Sequence, residues 1–154
     1  MDFYTLMNAF NFSIWDTNAA YNTFSKKNGI NYNSLLFIYA LMQAHCNTQK
    51  EIADLLTFSK STVHSIFKEY EKKGYIFLDT HPNNKKEKII QTTATGEAFF
   101  SHILKEVTKL EQTVVQTMGI QQFSQLVELS VLFKELITKE VTKEMNEDSN
   151  NSIK

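Results

Sequence analysis

Hydroxyl and ammonium side chains recur along the segment FSKSTVHSIFKEYEKKGY, residues 58–75. At 100° per residue, a helix over this stretch gathers most of them on one side, opposite an apolar face. The polar set comprises Ser61, Ser65, Lys68 and Lys72, with Lys60 in the first turn and His64 on the flank. Hydroxyls can meet base edges or phosphates, and lysine binds phosphates as a point cation. A protonated His64 would add one more phosphate contact.

The positive charge of the chain is local. All 16 basic residues are lysines, and the formal net charge of the 154-residue chain is only -1. Residues 59–88 carry seven lysines against four acids, whereas the segments before and after them are net acidic. A lone exposed lysine is ordinarily just a solvated surface group. The clustering, together with the elements around it, instead favours a nucleic-acid-binding face.

The composition is that of a folded protein. Hydrophobic residues make up 42% and charged residues 21% of the chain, far from the signature of disorder. No apolar run approaches the length of a membrane span, and the start of the chain lacks the basic and cleavage regions of a secretory signal. The single cysteine, Cys46, excludes an internal disulfide. We therefore expect a cytoplasmic protein with no membrane association.

Local signals define the elements that hold the polar face. Thr48 and Glu51 fit a capping box that begins one short helix, and Ser59 is a suitable N-cap for the next, which Gly74 ends. Two segments rich in β-formers follow, over 75–80 and 88–93, and they flank the sequence HPNNKKE. This order predicts a helix-turn-helix followed by a hairpin whose tip carries further DNA-binding residues. Those tip residues are Asn84, Lys85, Lys86 and Lys88.

The two ends of the chain show long amphipathic stripes. Apolar residues recur at helical spacing from Phe3 to Phe24, and again from Phe99 to Met118 and from Phe123 to Val141, with Gly119 as the break. These stripes need partners, either on the chain's own core or on a second copy. The polar sequence after residue 145 predicts a disordered tail over 146–154.

The segment TQKEIADLLTFSKSTVHSIFKEYEKKGYIF resembles the MarR family of bacterial winged helix-turn-helix transcription regulators, most clearly in KEIADLL, SKSTV and EKKGYI. The match extends through the hairpin to TTATG at 92–96. The resemblance implies a mainly α fold: a winged helix-turn-helix over 31–96 with a two-stranded β wing, and a helical dimerisation region formed by 1–30 and 97–145. It also implies a homodimer that binds pseudo-palindromic double-stranded DNA, most simply as a ligand-responsive repressor.

The resemblance further implies a small aromatic effector, for which Trp15, Tyr39 and Phe99 are the candidate pocket residues. Two positions depart from the family pattern: Ser65 stands where relatives carry an arginine, and Asn84-Lys85-Lys86 replaces the usual Asp-x-Arg of the wing tip. Lysine lacks the planar fork that arginine uses on guanine and in narrow minor grooves. DNA binding should therefore depend mainly on phosphate contacts and fall steeply with salt.

Other functions find weaker support in the sequence. No phosphate loop, HExxH or G-x-S-x-G motif is present, so we expect neither catalysis nor a cofactor. His45, Cys46 and His102 match no metal-ligand spacing, and no metal site is predicted. The remaining alternative is a winged-helix module that binds protein rather than DNA.

Overall fold

The first half of the chain alternates short helices with tight turns. The computed structural model describes residues 2–81 and 84–151, and the side chains of all of these except residues 81, 84–87 and 148–151. The elements in chain order are α1 (Phe3–Lys27), α2 (Tyr32–Met42), α3 (Gln49–Leu56), α4 (Lys60–Lys72), β1 (Ile76–His81), β2 (Asn84–Thr92), α5 (Ala94–Met118) and α6 (Ile120–Asn151). They fall into two compact units, Met1–Glu106 and Val107–Lys154, and α5 crosses the boundary.

The helix starts follow the capping signals of the sequence. Asp2 caps α1, Asn31 caps α2 and Ser59 caps α4, each through a side-chain oxygen that accepts a backbone N–H. At α3 the predicted capping box is present: Thr48 accepts from the Glu51 amide, and the Glu51 carboxylate accepts from the Thr48 amide. Each box of this kind satisfies donors that the first helical turn leaves unpaired.

A single core joins α2, α3, α4, the hairpin and the start of α5. Its largest fully buried side chains are Phe37, Phe67, Tyr70 and Phe100. Tyr70 packs edge-on against Phe100, with ring centroids 5.2 Å apart. Because α2 packs against α1, α3 and α4, it is the central support of the helix pair.

β1 and β2 form an antiparallel two-stranded sheet. The register pairs Ile76 with Thr92 and Thr80 with Lys88, and it shifts between Thr80 and His81. β2 begins at Asn84, earlier than the predicted strand over 88–93, so most of the expected tip lies within a strand. At the root of the hairpin the Ile90 amide donates to the Asn47 carbonyl at 2.6 Å, which fastens β2 to the loop between α2 and α3.

The start of α5 is locked to the start of β1. The Thr93 hydroxyl donates to the Gly74 carbonyl at 2.7 Å and accepts from the Gly96 amide at 3.0 Å. Gly96 lies directly against the Tyr75 backbone, where a Cβ would overlap the Tyr75 carbonyl oxygen. The TTATG sequence thus specifies both the cap of α5 and a close backbone approach.

The α6 helix extends into the segment of the predicted tail. The structure continues α6 to Asn151, whereas disorder was expected over 146–154; residues 152–154 lie outside the described part of the chain. No glycine or proline follows Gly119, so nothing in the sequence forces the helix to stop. Gly119 itself, with φ of 96°, separates α5 from α6 as predicted.

Two helices present apolar side chains to solvent. Every residue of α6 from position 124 to 147 is exposed, including Leu126, Leu129, Leu132, Phe133, Leu136 and Ile137. The first half of α1 likewise exposes a stripe that comprises Phe3, Leu6, Phe10 and Ile14. Across the described residues, no helix is long and apolar enough to cross a membrane.

Candidate nucleic-acid interface

The predicted turn between α3 and α4 is present. Thr57 adopts a left-handed conformation with φ of 54°, and Ser59 then begins α4 by accepting the Thr62 amide at 3.1 Å. Val63, Phe67 and Tyr70 hold the inner face of α4 in the core with no exposed surface. The opposite face, which carries the predicted DNA-binding residues, is therefore turned outward.

Lys60, Ser61, His64, Ser65, Lys68 and Lys72 are all exposed. The Ser61 hydroxyl lies 2.9 Å from the Ser59 hydroxyl, which in turn lies 2.8 Å from that of Thr62. This chain of hydroxyls fixes the first turn of α4, where recognition helices approach a groove. The structure thus gathers the six predicted α4 residues on one accessible side of the helix.

Lys68 is paired on its own helix. Its ammonium group lies 2.6 Å from the Glu71 carboxylate, and both side chains remain substantially exposed. Exposed pairs of this type contribute at most about 1 kcal/mol. Lys68 can therefore exchange Glu71 for a phosphate at little cost, so the pair does not block the predicted contact.

His64 connects the two helices of the motif. Its Nδ1 lies 3.2 Å from the side-chain oxygen of Gln49, the first residue of α3. A neutral His64 that donates from Nδ1 leaves Nε2 free to accept a hydrogen bond, whereas a protonated ring donates from both nitrogens. Gln49 was not among the predicted site residues, although its place directly after the Thr48 cap was a signal that could have identified it.

Ser65 also faces a cleft between three helices. The cleft has a volume of about 670 Å³. Its lining residues are Asn18, Ala19 and Asn22 of α1, then Asn31, Tyr32 and Asn33 at the start of α2, and Thr62, Ser65 and Ile66 of α4. The sequence did not reveal it, because its walls come from three helices that are separated along the chain.

A tyrosine fixes one wall of this cleft. The Tyr32 hydroxyl donates to the Asn18 side-chain oxygen at 3.1 Å, and the Tyr32 ring stacks on Tyr21 with centroids 6.2 Å apart. Partial burial raises the pKa of Tyr32 above its usual value, which favours the neutral hydroxyl that donates to Asn18. The contact ties α1 to the start of α2.

Of the four predicted wing residues, Lys88 alone has a described side chain. Lys88 is exposed, and its ammonium group donates to the Thr80 hydroxyl across the hairpin at 2.9 Å. Asn84, Lys85 and Lys86 belong to β2, but their side chains lie outside the described part of the structure. The backbone therefore places these three residues on the strand that leaves the hairpin tip.

The three residues predicted to line an effector pocket lie on different helices. Trp15 is 61% exposed on α1, Tyr39 is half-buried on α2, and Phe99 is half-buried on α5, where it stacks on Tyr75 at 4.8 Å. None of them lines the cleft between α1, α2 and α4. Phe99 instead belongs to the aromatic cluster at the joint of the wing and α5.

The described residues support neither a metal site nor a reactive thiol. Among the side chains that the structure describes, no three histidine, cysteine or acidic groups come together as metal ligands. Burial, with a smaller contribution from the charge of Glu51, raises the pKa of the half-buried Cys46. That keeps the thiol protonated and unreactive.

No protein-family profile matches the sequence, and no curated protein matches it either. Solved structures do. A MarR family regulator from Neisseria meningitidis covers 94% of this chain and 99% of its own, with 19% identity and a TM-score of 0.76. Staphylococcus aureus MarR in complex with salicylate and kanamycin is also similar, with 22% identity and a TM-score of 0.70, and the match covers 88% of this chain and 95% of that one. A MarR/EmrR family regulator from Acinetobacter sp. ADP1 likewise has 22% identity and a TM-score of 0.70, and its match covers 90% of this chain and 97% of that one. The predicted winged-helix fold is confirmed.

Proposed function

We propose that this chain, which has the fold of the MarR family regulators, is a DNA-binding transcriptional repressor that acts as a homodimer and responds to a ligand. The observation that supports DNA binding most directly is the outward face of α4. Its inner residues are buried, while its hydroxyls and lysines are accessible beside a hairpin that carries more lysines. A helix supported in this way can enter a major groove.

The exposed apolar faces support a second copy of the chain as the partner. A soluble monomer rarely leaves a large contiguous apolar patch in water. In α6, apolar side chains occur on most sides of a helix with no buried residue from 124 to 147, and α1 adds its own stripe from Phe3 to Ile14. An isologous interface would bury both sets of side chains around a two-fold axis.

Two-fold symmetry has a consequence for the operator. Two α4 helices that enter successive major grooves on one side of the duplex require half-sites about 10 base pairs apart, centre to centre. The preferred site should then be a pseudo-palindrome. Since the chain has no arginine, phosphate contacts by lysine carry most of the affinity.

Control by a ligand is supported by one of the structural neighbours, S. aureus MarR, which was solved with salicylate and kanamycin. For this chain we propose that a small molecule shifts the spacing of the two α4 helices. Trp15, Tyr39 and Phe99 remain the sequence-based candidates for an aromatic effector. A regulator of this type acts in the cytoplasm.

Duplex binding by a charge-deleted variant tests the proposal. Replacing Lys68, Lys85 and Lys86 with alanine should reduce affinity at least about 100-fold at moderate salt and lower the salt slope by about three. The matched control replaces Lys26, Lys27 and Lys109, exposed lysines outside α4, the hairpin and α6, which removes the same charge and should leave binding nearly unchanged. Electrophoretic mobility shifts on duplexes selected from a random pool provide the measurement.

The alternative function, a protein-binding module, predicts a different result. The wild-type chain would then bind no selected duplex even at low salt, and the lysine variant would keep any protein partner.

A further inference from the structure

Among the described residues, no charged side chain lines the cleft between α1, α2 and α4. Four asparagines dominate it, and Tyr32, Thr62 and Ser65 add hydroxyls. Polar and apolar groups thus share the lining, which indicates a ligand with several hydrogen-bonding groups beside an apolar face.

The charge of that ligand can be inferred from the lack of a cationic side chain among the described lining residues. A carboxylate that leaves water needs a charged partner or several aligned donors to offset the loss of solvation. Within the part of the chain that the structure describes, no lysine or histidine lines the cleft, so an anion there would have only neutral amide and hydroxyl donors. A side-chain amide, in contrast, offers both donors and an acceptor, which suits the hydroxyl groups of an uncharged molecule.

An aromatic surface continues the cleft along α1. Phe12, Trp15, Ala19 and Asn22 are spaced three, four and three residues apart and so form one stripe of the helix. Ala19 and Asn22 line the cleft, and the rings of Phe12 and Trp15 meet edge to face at 5.5 Å, both mostly exposed. This stripe lies on the side of α1 away from Phe3, Leu6, Phe10 and Ile14. A ligand in the cleft therefore finds apolar ring surface about one helical turn away.

We propose that the cleft binds an uncharged, polyhydroxylated ring, of the kind found in a hexoside, whose apolar end lies against Trp15. The asparagines bind the hydroxyl groups, and Thr62 and Ser65 connect the occupied cleft to α4. Through these two residues an occupied cleft would alter DNA binding, and this consequence rests on the proposed function, since it presumes that α4 binds DNA. Binding of the ligand in the cleft does not depend on that function.

A matched pair of probes tests the chemistry. Phenyl β-glucoside and phenyl β-glucuronide differ only in that a carboxylate replaces one hydroxymethyl group. Trp15 is the chain's only tryptophan, so its fluorescence reports occupancy of the adjacent cleft. We expect the glucoside to quench or shift this emission with a Kd at least about tenfold below that of the glucuronide and of salicylate. Equal or tighter binding of either anion, or no response to the glucoside, would overturn the proposal.

Variants locate the site. Asn22→Ala should weaken glucoside binding about three- to tenfold, the effect of one or two lost hydrogen bonds. Asn33→Ala, at an exposed position on α2, should act similarly and serves if Asn22→Ala folds poorly. Asn146→Ala, at an exposed position on α6 that does not line the cleft, is the control and should change nothing. Unchanged binding in both cleft variants would refute the location.

Duplex binding without any glycoside is measured in parallel. If the wild-type chain binds no duplex, the proposed function fails whatever the glycosides do. If it binds duplex but shows no preference for the glucoside, only the inference about the cleft fails.

Discussion

Tyr70 illustrates how one buried group links α4 to the core. Its ring has no exposed surface, and within the described residues its hydroxyl makes no hydrogen bond. Burial raises the pKa of Tyr70 to about 12, an effect that a contact with the Ser34 hydroxyl, outside normal hydrogen-bond geometry, only partly offsets. Burying an unpaired hydroxyl costs about 1–3 kcal/mol. The buried side chain that keeps the polar face of α4 turned outward therefore carries an unpaired hydroxyl.

Tyr70→Phe should raise the free energy of unfolding by about 0.5–1.5 kcal/mol at neutral pH, since it removes the unpaired hydroxyl without leaving a cavity. It should also change the alkaline limit of stability. Ionisation of Tyr70 is harder in the folded than in the unfolded chain, so its contribution is complete below pH 10 and is lost as the pH rises toward 12.

Urea unfolding across this pH range measures both effects. Tyr4→Phe, at an exposed position, is the control and should leave the curve unchanged. A wild-type chain whose stability does not fall more steeply than that of Tyr70→Phe above pH 10 would contradict this account.

At the level of elements, local signals were predictable and distant contacts were not. The capping box at Thr48, the Ser59 cap and the Gly119 break depend on residues a few positions apart, and the structure agrees with each. The Lys68–Glu71 pair also has helical i, i+3 spacing and could have been predicted. The cleft, by contrast, joins residues of three helices, and Gly96 meets a residue 21 positions earlier. No pattern in a single sequence contains that information.

Gly96→Ala tests the joint between β1 and α5. The added methyl group would overlap the Tyr75 carbonyl oxygen, and because the obstacle is backbone, α5 must shift relative to the strand. We expect a loss of about 2–4 kcal/mol in the free energy of unfolding. Thr95→Ala, exposed in the same turn, is the control and should cost less than about 0.5 kcal/mol. Thermal and urea denaturation would detect the difference, and equal stability of the two variants would disprove the close approach.

For the whole molecule, the quantity to measure is the number of copies in solution. The stripe on α1 includes Ile14, which is 43% exposed, whereas Asn8 lies on another side of the same helix. Ile14→Glu should weaken the proposed homodimer at least about tenfold, because a carboxylate would be buried without a partner. Duplex affinity should fall with it, since a single α4 reads only one half-site.

Sedimentation equilibrium of Ile14→Glu, with Asn8→Glu as the charge-matched control, provides the measurement. A wild-type chain that sediments as a monomer at micromolar concentration, or two variants that dissociate equally, would rule out this interface.

The hydrogen bond between Ile90 and Asn47 has a consequence for motion. This contact joins the outgoing strand to the loop that precedes α3, so the hairpin cannot tilt against the helix pair while the bond is intact. In heavy water the Ile90 amide would take up deuterium only when the hairpin detaches. Its exchange rate would thus report how often the hairpin separates from the helix pair. Because both carry lysines, a duplex bound to both should slow the exchange.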